Sequence, residues 1–145
     1  MTIRDETAAG CIVIREIHGK PEVLLIYSLD FPDPTLPKGR IEDGETLTEC
    51  AIREVKEETG YDVEIVDDSS VVSRKILNSY LPIIRKSIHW FLGKAVSGSP
   101  DSRLEKNIIS RVEWSSLADA LNRIRRRDEK DALAEWMRKL SLRKE

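Results

Sequence analysis

Hydrophobic and polar positions change rhythm several times along the chain. The runs "TAAGCIVIREI" (7–17) and "EVLLIYS" (22–28) are rich in β-formers, and "HGKP" between them reads as a hairpin turn. "LDFPDPTLPKG" (29–39) follows; its prolines and glycine predict an ordered loop without regular structure. A helix is expected from about 47 to 59, with Thr46 and Glu49 spaced for a capping box and Gly60 placed to end it. "DVEIVDD" (62–68) predicts a short strand and "SVVSRKILNSYLP" (70–82) a separate, longer one. In "IRKSIHWFLGKAV" (84–96), Ile88, Trp90 and Leu92 alternate with His89 and Phe91, which predicts a strand. After the polar stretch "SGSPDSRLEKN", "IISRVEW" (108–114) reads as the last strand. Ser115 or Ser116 is placed to cap a helix over about 117–126, and "EKDALAEWMRKLSL" (129–142) forms a second, amphipathic one. The order β-β-loop-α-β-β-β-α predicts an α/β chain with one mixed sheet and helices packed on it, organised as a single domain over 1–145.

The helix over 47–59 breaks the usual polarity of a packing helix. With Glu54 at zero and residues 100° apart, Leu47 falls at about 20°, Ala51 at about 60°, Val55 at about 100° and Ile52 near 160°. Glu58 falls at about 40°, within this apolar stripe, Glu54 lies at its edge and Glu57 flanks it near −60°. Carboxylates on a core-facing side are costly unless paired. Two of them ~4 Å apart repel by ~4 kcal/mol at an effective dielectric near 20. Arg53 can satisfy one acid, and no second cation is close in sequence. A hard divalent cation such as Mg²⁺ suits the group, since it takes carboxylate oxygens and leaves places for water and phosphate. A charged helix on the surface, with Arg53 and Lys56 in salt bridges, is the competing explanation.

Bulk properties narrow the class. At 145 residues, with 40% hydrophobic and 34% charged residues, the chain has the composition of an ordinary globular protein. A formal net charge of −2 argues against a general nucleic-acid binder but allows a local basic pocket for a small anion. The two cysteines, Cys11 and Cys50, sit in apolar runs, which argues against a disulfide framework and for a reducing cytoplasm. The N-terminus "MTIRDETAAG" carries acids where a signal peptide needs an apolar core, and no apolar run approaches the ~20 residues of a membrane helix. No membrane association is expected.

From Gly39 to Tyr61 the spacing is Gly39, five residues, Glu45, seven residues, Arg53-Glu54, Val55, one residue, Glu57-Glu58, one residue, Gly60. This resembles the Nudix box of the Nudix hydrolase superfamily at every fixed position; only the last, usually aliphatic position departs, being Tyr61. The resemblance implies a Nudix-type α/β/α sandwich and cleavage of a nucleoside diphosphate linked to another group. It implies that Glu57 and Glu58 are the metal-binding pair and that Glu54 binds metal or helps to activate water. Arg53 and Glu45 match a pair that holds loop and helix in register, and Gly39 and Gly60 match turn glycines. The backbone carbonyl of Lys38 matches a further ligand. Mg²⁺ is the implied cofactor, with Mn²⁺ as its substitute. Arg53, Glu54, Glu57 and Glu58 are thus the candidate catalytic set. Divalent cations neutralise and orient a polyphosphate, so the chemistry agrees with the reading of the helix itself.

Substrate features are weaker. "LPKGRIEDGE" resembles the loop of Nudix enzymes acting on dinucleoside polyphosphates, diphosphoinositol polyphosphates or oxidised nucleoside triphosphates. Tyr80 falls near where the dinucleoside-polyphosphate subgroup often has a base-stacking tyrosine; a partly buried strand aromatic is the plainer role. Lys38, Arg40, Arg74, Lys75, Arg85 and Lys86 are candidates to line a polyphosphate channel, though alternation along strands lets at most half converge. Glu105 is a candidate for the extra downstream acid that some members use, with Asp101 competing. His18 reads as an exposed turn residue, His89 as a packing or hydrogen-bonding residue, and Trp90, Trp114 and Trp136 as packing groups. "NRIRRRDEK" reads as a solvated helix end rather than an RNA contact. The expected partner is a nucleotide-derived small molecule; many members dimerise, which leaves a homodimer open. The favoured substrate is a bis(5′-nucleosyl)-polyphosphate. A non-catalytic Nudix-like module is disfavoured, because such modules usually lose acids that this chain keeps.

Overall fold

A computed structural model describes residues 2–78 and 80–143. Ser79, within the second run of the expected 70–82 strand, lies outside the described residues. The elements run β1 (Ile3–Ile17), β2 (Lys20–Ser28), β3 (Lys38–Arg40), α1 (Leu47–Thr59), β4 (Tyr61–Asn78), β5 (Ile83–Gly98), a short helical turn (Pro100–Ser102), β6 (Ile109–Ser116), α2 (Leu117–Arg123) and α3 (Arg127–Arg143). One mixed sheet has the order β4-β5-β1-β2-β6, with β3 pairing β1 off this path. The β1–β5 pair is parallel and the others are antiparallel.

Side-chain alternation on these strands makes two cores. Ala8, Ile12, Ile88, Trp90 and Leu92 face α2 and α3, where they meet Ala120, Leu133 and Trp136. Ala9, Cys11, Val13 and Phe91 face α1 and meet Cys50, Ala51 and Val55. This is the expected α/β/α arrangement, with the acidic helix the one helix on its face among the described residues. Among the described residues no helix is long and apolar enough to cross a membrane.

Three expectations need correction. The two strands expected at 62–68 and 70–82 are one strand, β4, which ends at Asn78 and leaves Tyr80–Pro82 outside it, and whose register on β5 shifts between Ile65 and Val71. Asp67 accepts hydrogen bonds from the Ser69 amide at 2.9 Å and hydroxyl at 2.8 Å at that irregularity, so the polar "DDSS" stretch bends the strand without ending it. Ile52 is 38% exposed and does not join the α1 core stripe, which is Cys50, Ala51, Glu54, Val55 and Thr59. The proline-rich segment 29–39, expected to lack regular structure, ends in the first two residues of β3. Thr35 and Ile26 exchange both backbone hydrogen bonds at 2.9 Å, and the Cys11 amide donates to Pro37 O at 3.2 Å. Three prolines remove amides from this segment; of those that remain, Thr35 donates to β2, and Leu36 and Lys38 donate to carboxylates of α3 and α1. Helix boundaries also move by a few residues: α2 stops at Arg123 and is capped by Ser116 rather than Ser115, and α3 begins at Arg127.

Candidate functional site

Both ends of α1 are built as the sequence suggests. Thr46 and Glu49 form the capping box, and Gly60 takes the left-handed conformation at φ 82°. The box therefore begins on β3, crosses a turn and ends in a helix lying beside it. Gly39 is where the two elements touch. A Cβ there would stand 2.0 Å from Glu54 Cδ, so only glycine lets the buried carboxylate rest against the strand.

Arg53 organises the acids. Its Nε donates to Glu45 Oε2 at 2.6 Å and its Nη2 to Glu45 Oε1 at 3.0 Å, a forked pair. Its Nη1 donates to Glu54 Oε1 at 2.7 Å and Glu57 Oε2 at 3.2 Å, and its Nη2 to the Arg40 carbonyl at 3.1 Å. The Arg53 hydrogen bonds hold the Glu45 carboxyl down at about 2. Glu58 is held instead by the Lys38 amide, which donates to its Oε1 at 2.8 Å. Burial pushes Glu58 up to about 8, against that amide, and the charges of Glu54 and Glu105 add to the rise. Burial also raises Glu54 against Arg53, with Glu57 and Glu105 contributing.

Glu105 belongs to this group. Its amide and that of Leu104 donate to the Glu57 carbonyl, at 3.2 and 2.9 Å, so the loop before β6 is stitched to the end of α1. Burial raises the Glu105 pKa, and the Glu57 charge raises it further. Asp101 lies instead on the exposed helical turn. Between the two downstream acids, the fold brings Glu105 to the others.

Among the described residues these carboxylates do not close on a common point as three ready-placed ligands, because Arg53 holds Glu54 and Glu57 while the Lys38 amide holds Glu58. The donor set nevertheless fits a hard divalent cation: four carboxylates gather, three of them made harder to ionise by burial and mutual repulsion, which an all-oxygen-seeking ion relieves.

On the other face of the sheet the basic candidates sort by strand register. Gly10 pairs with Lys38, Ala8 with Arg40, Glu6 with Lys86, and Lys86 with Lys75. These alternate positions share the face of α3. Lys86 is half-buried; burial lowers its pKa, followed by the charges of Lys38 and Lys75, with Glu6 opposing and Arg40 adding to the effect. Arg85, by contrast, forks onto Asp5 at 2.8 and 3.1 Å. Lys38 also reaches Glu129 of α3, with Nζ 3.2 Å from Oε2. Sequence reasoning missed Glu129: a charge in the first turn of an amphipathic helix carries no signal that it is buried.

Tyr80 does not join the acids. It is 79% exposed at the β4–β5 connection, beyond Ile83, which pairs with Ile3, while β3 meets β1 at Ala8. Five residues of strand are ~17 Å. Tyr61 fills the atypical last box position and meets Trp114 edge-on at 5.5 Å, with the indole N–H donating to its hydroxyl at 3.2 Å. Trp90 and Trp136 are buried, joined by a 2.9 Å bond from Trp136 Nε1 to Trp90 O. His18 is an exposed turn residue at φ 53°, and His89 lies 3.4 Å from Ser70 Oγ. Cys11 and Cys50 are free and buried.

The model of the NUDIX domain matches residues 5–140. The chain is 41% identical over 118 residues to the asymmetrical bis(5′-nucleosyl)-tetraphosphatase of Caenorhabditis elegans, covering 79% of this chain and 81% of that one. The crystal structure of the C. elegans Ap4A hydrolase superposes with a TM-score of 0.73 at 26% identity, covering 97% of this chain and 99% of that one. The chain is also 26% identical over 145 residues to the 8-oxo-(d)GTP phosphatase of Mycolicibacterium smegmatis, covering 91% of this chain. It spans only 41% of that protein's length, and 17% and 54% of two other curated relatives.

Proposed function

The chain belongs to the NUDIX domain family, and from that premise we propose that it is a divalent-metal-dependent pyrophosphohydrolase cleaving a phosphoanhydride in a nucleoside diphosphate linked to another group. The observation that carries this reading is the gathering of Glu54, Glu57, Glu58 and Glu105, close enough that their charges raise the pKa values of Glu54, Glu58 and Glu105, beside the glycine contact of β3 and α1. Glu54, Glu57, Glu58 and the Lys38 carbonyl are the groups that would hold Mg²⁺, or Mn²⁺ in its place. When bound, such a cation neutralises and orients the phosphate chain. Arg53 bridges Glu54 and Glu57 through its Nη1 and so orients both. Glu105 supplies a fourth carboxylate, for the cation or for the proton of the attacking water. In hydrolysis the water oxygen bonds to phosphorus, the bridging P–O bond breaks, and its electron pair leaves with the departing phosphate.

The favoured substrate is a bis(5′-nucleosyl)-polyphosphate such as diadenosine tetraphosphate. Lys38, Arg40, Lys75 and Lys86 support it: they share one face and suit an extended anion. Lys38 is paired to Glu129 and Lys75 to Asp128, while the charge of Lys86 is opposed by its basic neighbours. The similarity to the C. elegans tetraphosphatase points the same way. Similarity to the M. smegmatis phosphatase supports a second reading, hydrolysis of oxidised nucleoside triphosphates. Specificity constants for diadenosine tetraphosphate, 8-oxo-dGTP, dGTP, adenosine diphosphate ribose and a diphosphoinositol polyphosphate, measured with Mg²⁺, separate them. The favoured reading predicts that diadenosine tetraphosphate leads; preference for 8-oxo-dGTP would replace it with the second.

A further inference from the structure

We infer that Glu129 is a positioning residue for the acid cluster: from the first turn of α3 it fixes the chain at Leu36–Lys38 and, through that segment, the places of Glu58 and Glu54. The inference rests on the reading that the α1 acids hold a divalent cation.

Glu129 is fully buried, in the core that contains Leu36, Leu133 and Trp136. A helix packing only for stability would carry an apolar residue there, since a buried carboxylate is costly unless paired. Its position in the first turn of a 17-residue helix suits a negative charge. Its Oε1 accepts the Leu36 amide at 2.6 Å. Its Oε2 has no well-formed hydrogen bond among the described residues but lies 3.2 Å from Lys38 Nζ and 3.6 Å from Arg126 Nη1, so it acts there as a charge.

Lys38 is consequently held at both ends by carboxylates on opposite faces of the sheet. Its ammonium meets Glu129 of α3, and its amide meets Glu58 of α1. Pro37 has no amide, and its carbonyl is taken by Cys11. The next residue, Gly39, rests against Glu54. A displacement of Leu36–Lys38 therefore reaches two of the acids directly. Leu133 and Trp136 of the same helix share an apolar core with the Leu36 side chain, whereas Glu129 holds the Leu36 amide and the Lys38 ammonium.

The test is the Mn²⁺ dissociation constant, read by electron paramagnetic resonance without substrate, for the wild type, Glu129→Ala, Glu129→Gln and Leu133→Ala. Leu133→Ala removes a core side chain of the same helix that makes no polar contact with Leu36–Lys38. Glu129→Ala is expected to weaken Mn²⁺ binding roughly tenfold or more, and Leu133→Ala to leave it within about twofold despite a lower melting temperature. Glu129→Gln keeps an acceptor for the Leu36 amide but loses the charge, and is expected to fall between, at about threefold or more. Unchanged binding in folded Glu129→Ala, or in Glu129→Gln if the alanine variant does not fold, would overturn the inference. So would an equal loss in Leu133→Ala. Failure of the wild type itself to bind Mn²⁺ would overturn the metal reading beneath it, which no variant is needed to recognise.

Discussion

Gly39 and Glu54 are in direct contact across the β3–α1 interface, so close that a Cβ on residue 39 would stand 2.0 Å from Glu54 Cδ. Gly39→Ala must therefore move the carboxylate or part the helix from the strand. The expected result is a stability loss of about 1–3 kcal/mol from overpacking, together with a fall in kcat of at least about tenfold. Chemical denaturation and steady-state kinetics check the two effects, and wild-type kcat in the variant would show that the position of Glu54 is immaterial.

Arg53 serves several acids at once, so its removal should differ from that of any single one. Arg53→Ala leaves Glu45 and Glu54 without their shortest partner. A loss of about 1–3 kcal/mol is expected, together with lower activity. Arg53→Lys should recover only part of both, because an ammonium cannot fork onto Glu45 while reaching Glu54 and Glu57. Full recovery by lysine would reduce the role to one of charge alone.

The metal-free protein should lose stability as pH rises. Glu58 is pushed up to about 8 from an ordinary value of 4.5, mainly by burial. Between those values the folded state holds a proton that the unfolded state has released, so stability falls from about pH 4.5 through about pH 8 and then levels off. A divalent cation needs the ionised carboxylate, so the rise in melting temperature on adding Mg²⁺ should grow over the same window. Melting curves in chelator and in Mg²⁺ at about pH 5 and about pH 8.5 check this. Glu58→Gln should flatten the chelator series; an unchanged slope would remove Glu58 as its source.

Lys86 separates substrate binding from stability. Burial and neighbouring positive charge lower its pKa, so its charge opposes folding. Lys86→Met should keep or raise the melting temperature while raising KM for diadenosine tetraphosphate by about tenfold, the worth of one charge-assisted contact. An unchanged KM would take the polyphosphate path off this face.

The parts of this protein that were legible in the sequence are those with local grammar. The Thr46–Glu49 cap, Gly60 and the alternation of Ile88, Trp90 and Leu92 each act within a few residues, and each appears in the fold as expected. The gathering of Glu54, Glu57 and Glu58 follows from one helix. Distant pairings were not legible. That β3 forms at Lys38–Arg40 depends on β1 offering Ala8–Gly10 as partners, which no local pattern encodes. The choice of Glu105 over Asp101 is made by two amides that bind the Glu57 carbonyl, and the burial of Glu129 by a hydrogen bond from Leu36. The sorting of the basic residues needed the register: Lys75 faces Lys86, whereas Arg85 faces Ile76 and turns to Asp5.

The account stands most directly on Glu57, a carboxylate of the cluster that is partly exposed and that Arg53 reaches only at 3.2 Å. Cleavage of diadenosine tetraphosphate by the wild type and by Glu57→Gln, titrated with Mg²⁺ and followed by chromatography, is the decisive measurement. The prediction is Mg²⁺-dependent turnover in the wild type, a loss of about 100-fold or more in the variant, and melting temperatures within a few degrees of each other. Undiminished, equally metal-responsive turnover in Glu57→Gln would contradict it.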